Sequence, residues 1–194
     1  MKMPDKVKII SESREYDGFF KIDKAVIQYE KFNGEMSPEI TRLNFNRGDS
    51  VGVLLYNEDN DSVILVKQFR YPAYVYDGPG WLLELVAGMI DKGRDAMSVA
   101  RSELMEEAGY EVDDLEYICQ FYVSPGGSSE KVYLYVAYYH RKTGHGGGKD
   151  CENEDIQVLE IPLNQAMKMI EIGEICDAKT IIALQWLWVR TYNE

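Results

Sequence analysis

The chain has 194 residues, of which 45% are hydrophobic and 28% are charged, and its formal net charge is −12 at pH 7. This length suits one domain, or one domain with an appendage, and leaves enough apolar residues for a sizeable core. The negative charge argues against a nucleic-acid surface and against an anionic membrane surface. It also means that an anionic substrate needs cations at its binding site.

The cysteines indicate a reducing compartment. Cys119, Cys151 and Cys176 are odd in number and widely spaced, which argues against a disulfide framework or a zinc site and favours a cytoplasmic protein. The N-terminal residues contain no apolar segment of signal-peptide length, and no run approaches the ~18 apolar residues of a membrane span.

Hydrophobic patterning predicts many short strands and three helices. In chain order, we expect strands at 19–29, 40–45, 51–56, 62–69 and 81–87, a helix at 96–108, strands at 117–123, 131–139 and 156–161, and helices at 163–172 and 178–192. We expect loops at 74–80 and 124–129, and a mobile glycine-rich loop at 143–153. Mostly hairpin-connected strands with helices predict an α/β layered fold with a mixed sheet.

The first part of the chain predicts a separate β appendage. Residues 1–15 are charged and weakly patterned, and the pair Asn33-Gly34 is typical of a tight hairpin turn. A segment of about 45 residues buries too little apolar area to stand alone. We therefore divide the chain into an appendage, 1–47, that packs on the main domain or on a second subunit, and a main domain, 48–194.

The helix predicted at 96–108 carries an unusual charge pattern. Asp95 is a favourable N-cap. Glu103, Glu106 and Glu107 share one helical face, although like charges at these spacings destabilise a helix by roughly a few tenths of a kcal/mol. Such oxygen ligands suit Mg²⁺ or Mn²⁺. A solvated acidic helix end is the alternative, and the spacing alone does not decide between the two.

Residues 88–110 resemble the Nudix box, G-x5-E-x7-R-E-U-x-E-E-x-G-U, where U is a bulky apolar residue. Its fixed positions are matched by Gly88, Glu103, Leu104, Glu106, Glu107, Gly109 and, loosely, Tyr110. The similarity covers nearly the whole chain and is greatest to the branch of ADP-ribose pyrophosphatases and GDP-mannose hydrolases. It implies a Nudix fold, with a mixed β-sheet sandwiched between helices and a small N-terminal β appendage.

The resemblance also implies a metal site. The carboxylates of Glu103, Glu107 and Glu154 and the backbone carbonyl of Ala87 would bind Mg²⁺, with Mn²⁺ as an alternative. Glu106 would be a ligand or a close neighbour with a catalytic role, and Glu152 would be the general base. Without the resemblance, an ordinary acidic loop is the favoured interpretation of Glu152 and Glu154. The glycines at 146–148 suit a loop that closes on substrate.

Several residues are candidates for substrate binding. Arg70, at the exit of a strand, is a candidate phosphate clamp, although a surface arginine is an equal alternative. Ser124 and Gly126 lie in a loop that could offer backbone N–H groups to phosphate or ribose, or could be a simple turn. Glu130 is a weaker candidate, and Glu84 is either solvent-facing at a sheet edge or functional.

Two positions depart from the box. Arg94 stands where a glutamate is usual, and Ser102 stands where an arginine is usual, and in the family that arginine helps to orient the glutamates. The adjacent Arg101 points about 100° away on a helix. We hypothesise that Arg94 reaches back to the Glu103 face and supplies the missing cation. Alternatively, Asp95 takes the place of the lost glutamate.

The resemblance implies an enzyme that hydrolyses the pyrophosphate bond of a nucleoside diphosphate sugar. The hairpin at 32–36 and the loop at 152–156 favour ADP-ribose, which would give AMP and ribose 5-phosphate. The glycines at 146–148 leave GDP-mannose as the alternative. A Nudix-fold binding module without catalysis is a further alternative, for which Arg94 and Ser102 are the evidence and the retained carboxylates the counter-evidence.

The same resemblance implies a homodimer, because N-terminal strands in this branch commonly cross to a partner. The apolar residues that would form the contact are Phe19, Phe20, Val26 and Ile27.

Overall fold

A computed structural model describes residues 3–76, 78–139, 142–148 and 154–192. The chain forms two compact units. The first unit contains the chain up to Gly48 together with residues 122–130, and the second contains residues 49–121 and 131–194. None of the described helices is long and apolar enough to cross a membrane.

The first unit is built on a three-stranded antiparallel sheet. Its strands β1 (Val7–Asp17), β2 (Lys21–Tyr29) and β3 (Ile40–Asn46) lie in sequence order. Strand β1 corrects the sequence analysis, which predicted no element before residue 19. All eleven of its residues are exposed, so no buried face marks it as a strand, and pairing with β2 along its whole length defines it as one.

The second unit contains a mixed sheet of seven strands. They are β4 (Ser50–Asn57), β5 (Ser62–Phe69), β6 (Trp81–Glu84), β7 (Val86–Met89), β8 (Glu116–Tyr122), β9 (Lys131–Tyr138) and β10 (Gln157–Pro162). Five of them lie in the order β10-β5-β4-β9-β8, while β6 pairs with β5 and β7 pairs with β4. The β4–β9 pair is parallel, and the pairs of β4 with β5 and β7 are antiparallel.

The strand predicted at 81–87 is in fact two strands that meet at Leu85. Strands β4 and β5 pair only at residues 55–57 and 62–64, so they diverge beyond that point. The segment 81–89 enters the gap, pairing first with β5 and then with β4. At the crossover, the backbone N–H of Leu85 donates to Thr180 Oγ1 at 2.8 Å.

Helices cover both faces of this sheet, which confirms the predicted fold class. They are α1 (Tyr71–Tyr76), α2 (Ala96–Glu103), α3 (Leu163–Glu171) and α4 (Ala178–Tyr192), and a π-helical turn, Leu104–Ala108, continues α2. One core packs α2 and the π-helical turn on the sheet, and the other packs α3 and α4 on it. Helix α1 occupies part of the predicted loop, and it buries no residue that could have indicated it.

The glycine-rich loop at 142–148 packs on the end of the π-helical turn. Gly147 N–H donates to the carbonyl of Glu107 at 2.8 Å, and Gly148 N–H donates to that of Glu106 at 3.1 Å. The loop therefore provides hydrogen-bond partners for helix-end carbonyls that lack them within the helix. Residues 149–153, the remainder of the loop predicted to be mobile, lie outside the described residues.

Replacing Gly146 should destabilise the protein more than replacing another glycine with positive φ. Gly146 has φ +66°, and a Cβ atom there would lie 2.5 Å from the backbone carbon of Ala108. Gly93 has φ +90°, and a Cβ atom there would meet nothing within 4 Å. Both alanine variants carry the backbone strain, but only Gly146→Ala adds a clash.

We expect urea unfolding to show a loss for Gly146→Ala that exceeds the loss for Gly93→Ala by at least about 1 kcal/mol. Equal losses for the two variants would show that the loop can shift without cost.

Candidate functional site

The site is centred on the carboxylate of Glu107, which the π-helical turn directs into the protein. Its exposed fraction is 3%, and one oxygen accepts the backbone N–H of Ala87 at 3.1 Å. The pKa of Glu107 is raised to about 8: burial is the largest cause, the Ala87 N–H and the charge of Arg70 oppose the rise, and the charges of Glu103 and Glu154 add to it. Without a cation, Glu107 therefore holds its proton at neutral pH.

The π-helical turn is a difference from the continuous helix predicted at 96–108. It begins directly after Glu103 and ends at Gly109, whose φ is +78°. A π turn is wider than an α-helical turn, and such turns often occur at functional sites. Glu103 and Glu107 therefore lie on either side of the change in helix type, which the spacing of the residues did not indicate.

Two glycines make room for the neighbouring carboxylates. A Cβ atom on Gly88 would lie 2.2 Å from Oε1 of Glu103, so a larger residue there would displace this carboxylate. A Cβ atom on Gly148 would lie 2.9 Å from Oε2 of Glu154. The charges of Glu103 and Glu154 both act on Glu107, so two carboxylates of one helix and a third from a distant segment share one electrostatic environment.

The chemistry of these donors fits a divalent cation. Carboxylates and a backbone carbonyl are the hard oxygen ligands that Mg²⁺ prefers, and a cation would offset the burial and repulsion that keep Glu107 protonated. Across the described ranges, however, no three His, Cys, Asp or Glu side chains form a complete metal-binding group. Glu152, the predicted general base, lies outside those ranges, and Glu106 is half-buried on the π-helical turn.

Arg70 and Glu84 form a bidentate ion pair beside the acidic cluster. Arg70 Nε donates to Oε1 of Glu84 at 2.7 Å, and Nη2 donates to Oε2 at 3.1 Å. Glu84 is 3% exposed, so it is not the solvent-facing edge residue that the sequence allowed. Although burial alone would raise the pKa of Glu84, Arg70 and Lys179 lower it to about 2.

The sequence analysis missed three residues at the start of α4, namely its cap and two residues of its first turn. Lys179 Nζ donates to Glu84 Oε2 and to Asp177 Oδ1, the latter at 2.9 Å. Thr180 is fully buried and donates its hydroxyl to Asp177 Oδ2 at 2.6 Å. The signal in the sequence was a polar run, Asp-Ala-Lys-Thr, at the start of an otherwise apolar helix.

Arg94 and Ser102, the two departures from the box, form a hydrogen bond with each other. Arg94 Nη2 donates to Ser102 Oγ at 2.7 Å and to the carbonyl of Ser98 at 3.1 Å. Asp95 caps α2, accepting the N–H of Ser98 at 2.9 Å. Arg101 donates to the carbonyls of Val112 and Asp113. A direct role of Arg94 at the Glu103 face stays a prediction.

Three predicted substrate-binding residues lie in the first unit. Glu130 is buried and forms an ion pair with Arg47 at 3.6 Å. The carbonyl of Ser124 accepts the N–H groups of Gly127 and Ser128 at 2.9 and 2.8 Å, so these two donors are used within the turn. The predicted roles of Ser124, Gly126 and Glu130 in substrate binding stay predictions.

Comparisons with known proteins agree on one family. The profile of the NUDIX domain matches residues 46–183. An ADP-ribose pyrophosphatase of Escherichia coli (strain K12) is 41% identical over 182 residues, which cover 93% of this chain and 87% of that protein. A GDP-mannose pyrophosphatase of Enterobacter sp. (strain 638) is 37% identical over 185 residues, which cover 95% of this chain and 96% of that protein.

A solved structure shares the fold along the whole chain. The crystal structure of an ADP compounds hydrolase superposes with a TM-score of 0.73, covering 98% of each chain at 21% sequence identity.

Removing the carboxyl group of Glu107 should change how stability depends on pH. Between its ordinary pKa and the value of about 8, folded wild type holds a proton that the unfolded chain releases, so stability falls as the pH rises through this window. Glu107→Gln cannot bind this proton, so its stability lacks this dependence on pH. In EDTA, we expect its free energy of unfolding relative to wild type to be higher at pH 8 than at pH 5 by at least about 1 kcal/mol.

Urea unfolding at the two pH values measures this difference. Glu111→Gln, at an exposed position, is the control for the loss of one carboxyl group from the surface. A relative stability of Glu107→Gln that is the same at both pH values would contradict the protonated state of Glu107.

Proposed function

Because this chain belongs to the Nudix family, we propose that it is a pyrophosphohydrolase that cleaves nucleoside diphosphate sugars with the help of Mg²⁺. One observation supports this most directly: the carboxylate of Glu107 is buried, is repelled by the charges of Glu103 and Glu154, and accepts a hydrogen bond from the backbone of Ala87. A protein that only binds nucleotides gains nothing from such an arrangement, whose burial and repulsion are costly without a cation.

We propose ADP-ribose as the preferred substrate, with AMP and ribose 5-phosphate as products. The 41% identity with an ADP-ribose pyrophosphatase supports this choice. GDP-mannose is the second candidate, supported by the 37% identity with a GDP-mannose pyrophosphatase.

In the proposed mechanism, the carboxylates of Glu103, Glu107 and Glu154 and the carbonyl of Ala87 hold the cation. A bound Mg²⁺ would neutralise the diphosphate and polarise its phosphorus. Glu107 would release its proton to solvent when it holds the cation, and the Ala87 N–H would continue to donate to its carboxylate. Mn²⁺ suits the same ligands.

Arg70 would bind the substrate through the donors that Glu84 leaves available. A guanidinium has five N–H groups, and the bidentate pair uses one on Nε and one on Nη2. The pair fixes the plane of the guanidinium, so that Nη1 can bond a phosphate oxygen without loss of the ion pair. Glu152 would accept the proton of the attacking water, and Glu106 would assist as a ligand or neighbour.

A panel of nucleoside diphosphate sugars tests the function. With Mg²⁺, we expect kcat/KM for ADP-ribose to exceed that for GDP-mannose by about tenfold or more. We expect Glu107→Gln to lower kcat by about a hundredfold, since it removes a ligand carboxylate. EDTA should abolish turnover, and the exposed control Glu111→Gln should match wild type.

The outcomes separate the alternatives. Faster hydrolysis of GDP-mannose would replace the proposed substrate with the second candidate. Tight nucleotide binding without turnover of any member of the panel would favour the binding module.

We further propose that the chain forms a homodimer through its first unit. In the described part of this unit no apolar side chain is buried, and the exposed fractions of Val7 and Ile9 are 64% and 56%. Strand β1 is also an edge strand, with β2 as its neighbour on one side only. An exposed edge with apolar side chains is suited to pairing with another chain.

Light scattering at micromolar concentration tests the assembly. We expect twice the chain mass of 22.3 kDa for wild type. The double variant Val7→Lys/Ile9→Lys should have the mass of a single chain, because it places two charges where apolar contacts are proposed. Lys8→Ser, between the two positions, is the control. A single-chain mass for wild type would contradict the proposed homodimer.

A further inference from the structure

The crossover at Leu85 depends on a side chain from a distant helix. At this residue, the segment 81–89 leaves β5 and joins β4. The N–H of Leu85 donates to Thr180 Oγ1 at 2.8 Å, and both residues have an exposed fraction of 0%. A buried N–H without a partner would cost about 1–3 kcal/mol, which corresponds to roughly a fivefold to 160-fold change in an equilibrium constant. The position of the crossover therefore depends on the hydrogen bond that Leu85 makes with the Thr180 hydroxyl.

The Thr180 hydroxyl is itself held in a fixed orientation. It donates to Asp177 Oδ2 at 2.6 Å, and the N–H of Thr180 donates to the same oxygen at 3.0 Å. Asp177 also accepts the N–H of Ile181 on its backbone carbonyl at 3.0 Å, so it caps the helix α4. Since the hydroxyl has one proton and that proton points to Asp177, its lone pairs face Leu85.

A second connection from the same helical turn reaches the residue before the crossover. Lys179 Nζ donates to Asp177 and to Glu84, and Glu84 holds the guanidinium of Arg70. On the other side of Leu85, two residues along, the N–H of Ala87 donates to Glu107. The first turn of α4 therefore bonds Glu84 and Leu85. The same strand segment reaches the site through Glu84, which bonds Arg70, and through Ala87, which bonds Glu107.

We propose that Thr180 and Asp177 are positioning residues that align the Ala87 backbone with Glu107 and the Glu84 carboxylate with Arg70. They act through Leu85 and Lys179 rather than by touching substrate. The roles in turnover and in aligning the cation ligands rest on the proposed function, whereas the role in holding the strand does not.

Valine at position 180 tests this role, because it keeps the shape of threonine and removes the hydroxyl. We expect hydrogen exchange at the Leu85 amide of Thr180→Val to be at least tenfold faster than in wild type. We expect Mg²⁺ affinity, measured by calorimetry, to fall about tenfold, and kcat to fall by a similar factor with KM changed less than threefold. Thr180→Ser, which restores the hydroxyl, should recover each quantity to within about threefold of wild type.

Two further variants separate positioning from loss of stability. Leu187 lies in the same helix and in the buried core, away from the bonds of Asp177, Lys179 and Thr180. Leu187→Val is compared with Thr180→Val under conditions that give both variants an equal loss of Tm. We expect it to leave Leu85 exchange and Mg²⁺ affinity unchanged. Asp177→Asn keeps a cap for the helix but removes its charge, and it replaces Thr180→Val in the same measurements if that variant does not fold.

Unchanged Leu85 exchange and Mg²⁺ affinity in Thr180→Val would overturn the proposal, and so would an equal loss of Mg²⁺ affinity in Leu187→Val. If wild type hydrolyses no nucleoside diphosphate sugar, the proposed function fails. Amide exchange at Leu85 then still decides whether Thr180 positions the strand.

Discussion

The burial of one carboxylate is the constraint on which the rest of the site depends. Glu107 is almost inaccessible to solvent, and moving a charged carboxylate out of water costs several kcal/mol. A hydrogen bond from a neighbouring residue lowers this cost. An N–H of the adjacent strand donates to the carboxylate, while the loop at 142–148 separately bonds the backbone carbonyls of Glu106 and Glu107. A π-helical turn, rather than an α-helical one, carries the residue.

Much of the fold could be predicted from local patterns. Apolar alternation and the Asp95 cap located most strands of the second unit and the start of α2, because each of these signals is contained within a few neighbouring residues. The three box glutamates were likewise recognised from spacing and resemblance, and the structure describes all three close to the end of one helix.

Other features depend on contacts between distant residues. Strand β1 is exposed along its length, so its pairing partner rather than its own pattern defines it. The break at Leu85 follows from the divergence of β4 and β5, which no single segment encodes. The pairing of Glu84 with Lys179 joins residues 95 positions apart. The bond between Arg94 and Ser102 is a local contact, but the sequence analysis treated the two residues as separate departures.

The dependence of the crossover on α4 has a practical consequence for protein engineering. The bond from Leu85 reaches the first turn of that helix, whereas the helix continues to Tyr192, about 18 Å further along its axis at 1.5 Å per residue. Fusion partners and purification tags attached beyond the last turn therefore leave this bond untouched. Circular permutants that open the chain between α3 and α4 would instead place a new terminus beside Asp177, where the hydrogen bonds of the first turn hold the strand in place.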